Sequence, residues 1–317
     1  MLVDLPNWVG DQMMAMPALN RLVEGNRGGE IVLHTRPSMV RFLSAVFSQT
    51  RVVASPRKAS PFSSALKVRG GGRRFDIGIT LRNAARGKIL IRLGSRWCAG
   101  SRGEGAQLLL SASCGIDRSR HQVHDADSLL AVLGLEAADA SWRPVLPAGI
   151  EAEGEAALRN IGVDRERAIG LAPSTARGDA KRWPARRYGE LAARLRSRGY
   201  DPVVVIGPGE DAVADELSRA ARHELPVVGR NTDVAGLAAV ATGLRLLVGN
   251  DSGPMQLAAC VGTPVVALFG PTDPGRTTPL GSGHCVVSPP PGCDDRMRGI
   301  SVDEVEAATV DLVRQRQ

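Results

Sequence analysis

The chain has 317 residues, 43% hydrophobic and 23% charged, which allows two domains with separate apolar cores but provides no run of about 18 apolar residues with which to span a bilayer. Its five cysteines (Cys98, Cys114, Cys260, Cys285, Cys293) show no CxxC spacing, which argues for free thiols over a disulfide framework or zinc site, and MLVDLPNWVGD lacks the basic and apolar regions of a secretion signal, so a cytoplasmic chain is expected. The net charge of +7 is uneven: residues 1–147 hold 20 Lys/Arg against 11 Asp/Glu, residues 148–317 hold 20 against 22, and between Arg57 and Arg102 twelve basic residues face one acid, Asp76.

In chain order, β-branched runs alternate with Ala/Leu/Arg stretches of helical period. The first half opens with a strand at 2–5, a helix at 12–24 and strands at 31–34 and 76–81. The basic, Gly-rich segment 84–115 reads as mostly loop with a helix around 84–93. A helix follows in DSLLAVLGL, with Asp125-Ala126-Asp127 before it as caps rather than metal ligands. Two prolines and a glycine in RPVLPAG, 143–149, mark the expected boundary between domains 1–147 and 148–317. The second half gives helix 152–160, strand 168–172, helix 185–198, strand 202–206, helices 210–222 and 233–242, strand 244–249, helix 254–261, strand 264–269 and helix 302–315. This alternation predicts an α/β protein of two doubly wound, parallel-sheet domains, with ligands bound outside the carboxyl ends of the strands.

Four loops at strand ends are candidates for chemistry. In the first, Gly10 allows a tight turn and Asp11 opens a helix, either as its N-cap or as a general base facing a ligand. The second runs from Ser174 and Thr175 to Lys181. It is either a surface loop with Trp183 packing its base or a site whose hydroxyls and ammonium suit a departing diphosphate. The third, Gly207-Pro208-Gly209-Glu210-Asp211, is a turn with a helix cap or an acid for ribose hydroxyls. The fourth, Asn250-Asp251-Ser252-Gly253-Pro254, opens a helix, either as its cap or as a phosphate site at the amino end, with Asp251 better placed for sugar hydroxyls. Met13, Met14 and Met16 read as core. There is no GxGxxG and no P-loop motif. The basic N-terminal half points to an anionic partner, an acidic sugar or lipid surface. Nucleic acid is disfavoured, because no aromatic interleaving and no zinc-finger, RRM or KH signature accompanies the charge.

These residues also resemble a known family. Pro6-Asn7-Trp8-Val9-Gly10-Asp11 with Met13-Met14 and Pro17-Ala18-Leu19 looks like the opening of the bacterial lipopolysaccharide heptosyltransferases, glycosyltransferase family 9, nearest to its heptosyltransferase II branch. Lys181-Arg182-Trp183-Pro184, Asn250-Asp251-Ser252-Gly253-Pro254-Met255 and Phe269-Gly270-Pro271-Thr272-Asp273-Pro274 look like three further family motifs in order. The likeness runs from residue 2 to about 313. It implies a GT-B fold, two Rossmann-like domains facing across a cleft, and metal-independent, inverting transfer of heptose from ADP-heptose to an anionic Kdo-lipid A type acceptor.

By the resemblance, Asp11 would be the catalytic base and Lys181 the diphosphate stabiliser. Gly10, Ser174, Thr175, Ser252 and Gly253 would line the donor, Asp251 would hold heptose hydroxyls, Glu210 or Asp211 the ribose, and Thr232 the adenine edge. Arg82, Arg86, Lys88, Arg92 and Arg96 would form the acceptor face, with peripheral contact to the inner membrane. Where the family commonly has His five residues after Asp251, this chain has Gln256, able to donate a hydrogen bond to the donor but carrying no charge. Competing expectations are a GT-B transferase with another donor or acceptor, a nucleotide-sugar epimerase, and a non-catalytic sugar-nucleotide-binding protein.

Overall fold

The computed structural model describes all residues except 27, 104, 176, 177, 294, 295, 316 and 317, and of residue 179 the backbone alone. The chain divides into two compact units, Met1–Trp142 and Arg143–Gln317.

The first unit contains β1 (Leu2–Asp4), α1 (Val9–Gly25), β2 (Val32–Thr35), α2 (Val40–Val46), β3 (Arg51–Ala54), α3 (Pro61–Arg69), β4 (Phe75–Thr80), α4 (Ala85–Gly94), β5 (Ser95–Ser101), β6 (Ala112–Cys114) and α5 (Asp127–Val132). Its strands pair in parallel in the order β3-β2-β1-β4-β5-β6, with Leu2 opposite Val32 on one side and Gly78 on the other. β1 and β4 are neighbours whose crossovers leave in opposite directions, so a crevice opens between their carboxyl ends. Met13, Met14, Met16, Leu19 and Leu22 bury one face of α1, as their helical spacing requires. Leu2, Val32, Val68, Leu90, Ile91 and Cys98 pack the other side of the sheet.

The 84–115 segment departs from its loop reading. After α4 it supplies β5 and β6, paired Ala99 to Ala112. SRWCAGS has no β-branched residue, and its strand conformation comes from burial beside β4 rather than from local preference. The N-cap of α5 is Ala126, which makes no side-chain capping bond. Instead the Asp127 carboxylate lies 3.0 Å from His124 Nδ1 and 3.4 Å from Arg120.

The second unit contains α6 (Ala148–Asn160), β7 (Ala168–Ala172), α7 (Ala185–Ser197), β8 (Asp201–Val205), α8 (Asp211–Ala221), β9 (Val227–Val228), α9 (Val234–Gly243), β10 (Leu246–Asn250), α10 (Gly253–Cys260), β11 (Val265–Leu268), α11 (Pro274–Thr277), β12 (Cys285–Val287) and α12 (Val302–Arg314). The parallel order β12-β11-β10-β7-β8-β9 repeats the first unit's topology, with β7 and β10 in the places of β1 and β4. Apolar clusters cover both faces, so these strands read as continuous hydrophobic runs. Gly154 lets α6 lie against α9, since a Cβ there would stand 1.9 Å from the Ala239 carbonyl oxygen. Arg194 of α7 and Arg198, its C-cap, grip Glu306 of α12 at 3.0 and 2.6 Å, and Ser301 with Glu304 forms a reciprocal capping box at the start of α12. Among the described residues no cysteine forms a disulfide, and burial pushes the Cys260 thiol up to about 12.

Candidate functional site

In the second unit the carboxyl ends of β7 and β10 gather the second and fourth loops. Asn250, the last residue of β10, is fully buried and holds three segments at once. Its Nδ2 donates to the Pro173 carbonyl at 2.7 Å, and its Oδ1 accepts from the Trp183 amide at 3.1 Å and the Tyr188 hydroxyl at 3.1 Å. Trp183 is anchored by its indole N–H on the Ile300 carbonyl at 3.0 Å and meets Tyr188 edge to face at 4.8 Å. With the loop pinned this way, Lys181 Nζ lies 2.5 Å from Asp251 Oδ2, the two side chains both largely buried. Burial drives the Tyr188 phenol well above its usual range, so it is a donor and not a proton-transfer group.

Four hydroxyls in the same unit are buried without a hydrogen-bond partner among the described residues: Ser174 Oγ after β7, Ser252 Oγ after β10, and Thr272 and Thr277 Oγ1 after β11. A buried hydroxyl left unpaired costs about 1–3 kcal/mol. Ser174 and Ser252 follow the adjacent strands β7 and β10, at the loops that carry Lys181 and the amino end of α10, and such unpaired hydroxyls fit a polyoxygen ligand such as a diphosphate. Thr175 differs, because its hydroxyl donates within its own loop to the Gly178 carbonyl at 2.8 Å.

Other expected donor residues have structural partners. Glu210 closes its own turn by accepting from the Gly207 amide at 2.7 Å, and Asp211 pairs with Arg230 at 2.8 Å. Thr232 sits at the entry to α9 beside Asp233, whose carboxylate caps the helix through the Gly236 amide at 2.9 Å. Gln256 is buried and gives its amide N–H to the Thr277 carbonyl at 2.7 Å, tying α10 to the end of α11. Ser252 and Gly253 are the N-cap and first residue of α10, and the Ser252 side chain makes no capping bond.

In the first unit, Asp11 stands in the first turn of α1, but the N-cap is Trp8. Gly10 is likewise helical, so its expected role as a turn residue is not what the fold uses. Gln122 donates to Asp11 Oδ1 at 3.3 Å. Beneath this loop lies a charged hub that sequence reading missed. The fully buried Asp4 takes His34 Nδ1 at 2.7 Å and Arg82 at 2.9 Å on one oxygen, and the Thr80 hydroxyl at 2.9 Å on the other. Arg82 Nε donates to the Leu5 carbonyl at 2.5 Å, fixing the strand end that leads to Asp11. Gly87 lets α4 close over the hub, since a Cβ there would lie 2.6 Å from the Asp4 carboxylate.

The expected acceptor face needs correction. Arg82 is buried in the hub, and Lys88 is buried with its ammonium on the Gly103 and Gly105 carbonyls. Arg92 and Arg96 are exposed, but they lie at the end of α4 and the start of β5, the end of the sheet opposite Asp11. A charge run in sequence does not record that a crossover helix carries its basic residues from one end of the sheet to the other. Arg86 remains at the carboxyl end, 2.5 Å from the Ala59 carbonyl, and two arginines outside the expected set join it. Arg57 stacks on the Trp8 ring at 4.5 Å, and Arg36 donates to the Ser55 carbonyl at 3.0 Å and to Asn7. Burial holds Arg36 below the ordinary arginine range, the charges of Arg82, Arg86 and Arg57 push the same way, and Asp4 opposes them. Several guanidinium groups therefore share one small region, which suits a multiply charged anion.

Among the described residues no group of His, Cys, Asp and Glu is arranged to hold a metal ion, and no helix is long and apolar enough to cross a membrane.

The fold has close counterparts. A family 9 glycosyltransferase from Veillonella parvula superposes with a TM-score of 0.87 at 19% identity, covering 99% of this chain and 97% of that one. The Escherichia coli ADP-heptose lipopolysaccharide heptosyltransferase II superposes at 0.81 with 24% identity, covering 99% and 98%. These likenesses show two Rossmann-like domains of the GT-B type. In sequence, the lipopolysaccharide heptosyltransferase 2 of Salmonella typhimurium is 33% identical over 153 residues, 47% of this chain and 44% of that protein, so the match spans under half of the relative's length. The lipooligosaccharide heptosyltransferase 2 of Campylobacter jejuni is 25% identical over 287 residues, 87% of this chain and 82% of that protein. Residues 65–298 match the family model for glycosyltransferase family 9 (heptosyltransferase), and with most of its length so matched the chain belongs to that family.

Proposed function

We propose that this chain transfers heptose from ADP-heptose to an anionic, Kdo-bearing inner-core acceptor of lipopolysaccharide, on the cytoplasmic face of the inner membrane, by one displacement that inverts the anomeric carbon. The observation that carries the reading is the C-terminal site: Lys181 against Asp251, with the unpaired buried hydroxyls of Ser174 and Ser252 on the loops after β7 and β10. Lys181 and the amino end of α10 offset the charge of the departing ADP, helped by Ser174, Ser252 and Gly253. Asp251 accepts heptose hydroxyls, which leaves Lys181 to turn to the diphosphate. Asp11 takes the proton of the attacking hydroxyl, with Gln122 orienting the carboxylate.

Arg36, Arg57 and Arg86 receive the acceptor's carboxylates and phosphates, and Arg82 positions the loop rather than the ligand. Ribose binding by Glu210 or Asp211 requires them to exchange their present partners for the sugar, and Thr232 lies toward the adenine edge. The reading needs no metal, because the protein supplies the positive charge itself.

The test follows nucleotide release from ADP-heptose, UDP-sugars and GDP-sugars, with and without a deacylated Kdo-bearing acceptor. ADP should appear only from ADP-heptose and only with acceptor. ADP-heptose at about a hundred times its Kd should stabilise the fold by about 2.7 kcal/mol. Conversion of the donor without acceptor would favour the epimerase alternative, and equal turnover of UDP-sugars would remove the donor assignment.

A further inference from the structure

On α3, Phe62 and Leu66 are 68% and 66% exposed. They stand one turn apart on the stripe opposite Ser64, Ala65 and Val68, which are the residues α3 buries. Large apolar side chains paired on the outward stripe of a nine-residue helix do nothing for the core. α3 packs on α4, and α4 also touches the short turn Gln107–Leu109, whose Leu108 is 95% exposed, so all three apolar side chains belong to one helical layer.

The surroundings are basic. Exposed Lys58 precedes α3, exposed Lys67 flanks its apolar stripe, and exposed Arg92 lies on α4. The only acid between Arg57 and Arg102 is Asp76. Apolar tips with a ring of cations match the chemistry of a membrane surface rich in anionic headgroups, where alkyl and aromatic groups enter the acyl boundary and ammonium groups meet phosphates. A second copy of this chain would bring like charge against like charge on this face.

We infer that this layer of the first unit, led by Phe62 and Leu66, docks on an anionic phospholipid surface. The inference rests on the proposed function for its purpose. The Lys58–Ala59 backbone at the start of α3 accepts from Arg86, so docking α3 brings the arginine cluster to the interface where a lipid-anchored acceptor lies.

The experiment uses the full chain and extruded vesicles, with sedimentation as the readout. Wild type should bind vesicles containing phosphatidylglycerol and show little binding to phosphatidylcholine alone. Phe62→Ser/Leu66→Ser should weaken binding to the anionic vesicles about tenfold or more. Lys58→Ala, as a separate variant, should weaken it about fivefold, an effect that high salt removes. The thermal midpoints of both variants should match wild type, since neither removes a buried group. The Phe62/Leu66 variant should act normally on a water-soluble acceptor and about tenfold more slowly on one embedded in vesicles. Equal binding of wild type and variant to anionic vesicles, or no binding by wild type, overturns the inference. So does a wild-type dimer that the double substitution dissolves, since the occupant would then be a second copy. Absence of turnover on the soluble acceptor refutes the proposed function instead and leaves the vesicle result to stand by itself.

Discussion

The two units share one strand order and treat charge at the equivalent crevice in opposite ways. At the carboxyl ends of β2, β1 and β4 the first unit sinks His34, Asp4 and Arg82 below the surface and crowds further arginines above them. Between β7 and β10 the second unit keeps its sheet apolar on both faces, holds its loops with the neutral Asn250, and pairs Lys181 with Asp251. On the proposed function, the first arrangement receives an anion of high charge, and the second is a polar cradle in which Lys181 exchanges Asp251 for a diphosphate. A shared topology fixes where a ligand binds, and the residues on the strand ends decide which ligand.

The contrast can be broken most severely at Asp4. Asp4→Ala strands Arg82 and His34 in the interior and should destabilise the first unit by about 3–5 kcal/mol in urea unfolding, whereas an equivalent change at the neutral Asn250 lacks the charge penalty. Next in size is Lys181→Ala, which should lower kcat/KM for the donor by about 10²–10³-fold, with the acceptor KM unchanged. Gln256→Ala removes one bond to the Thr277 carbonyl and should destabilise by about 1 kcal/mol, while a direct donor contact would instead appear as a donor KM effect beyond that loss.

The smallest effect is at the α7–α12 contact. Arg198, with Arg194, holds the Glu306 carboxyl below its ordinary value of 4.5 against the opposing pull of burial. Its folded value lies below the unfolded one, so the contribution is complete above about pH 4.5 and disappears as the pH falls through the lower folded value. Wild type should therefore lose stability more steeply in that acid range than Glu306→Gln, by under about 1 kcal/mol.

Much of this architecture is legible in the chain. IGLA, PVVV and LLVGN are buried on both sides and carry the continuous apolar signal of parallel strands, and the PNWVGD and NDSGP loops sit where strands end. β3, β5, β6, β9 and β12 went unread because they are short or poor in β-branched residues and are strands by virtue of their neighbours. The site was legible where it is local. The Lys181 and Asp251 loops are punctuated by Pro and Gly, but their contact spans 70 residues and comes only from the fold. Asp4 and His34 read as interruptions of two apolar strands, and nothing in LVDLP or IVLHT tells that parallel pairing sets them side by side. The basic run misled in the same way: sequence counts charges, and the crossover helix decides which end of the sheet receives them.

The central claim is that a carboxylate in the first turn of α1 takes a proton during sugar transfer to an acceptor. Asp11→Asn tests it most directly, with ADP affinity and single-turnover transfer to a soluble Kdo-bearing acceptor measured on the same preparation. The account predicts an ADP Kd within about twofold of wild type and transfer slowed by about 10²–10⁴-fold. Transfer at the wild-type rate, with ADP bound normally, would contradict it.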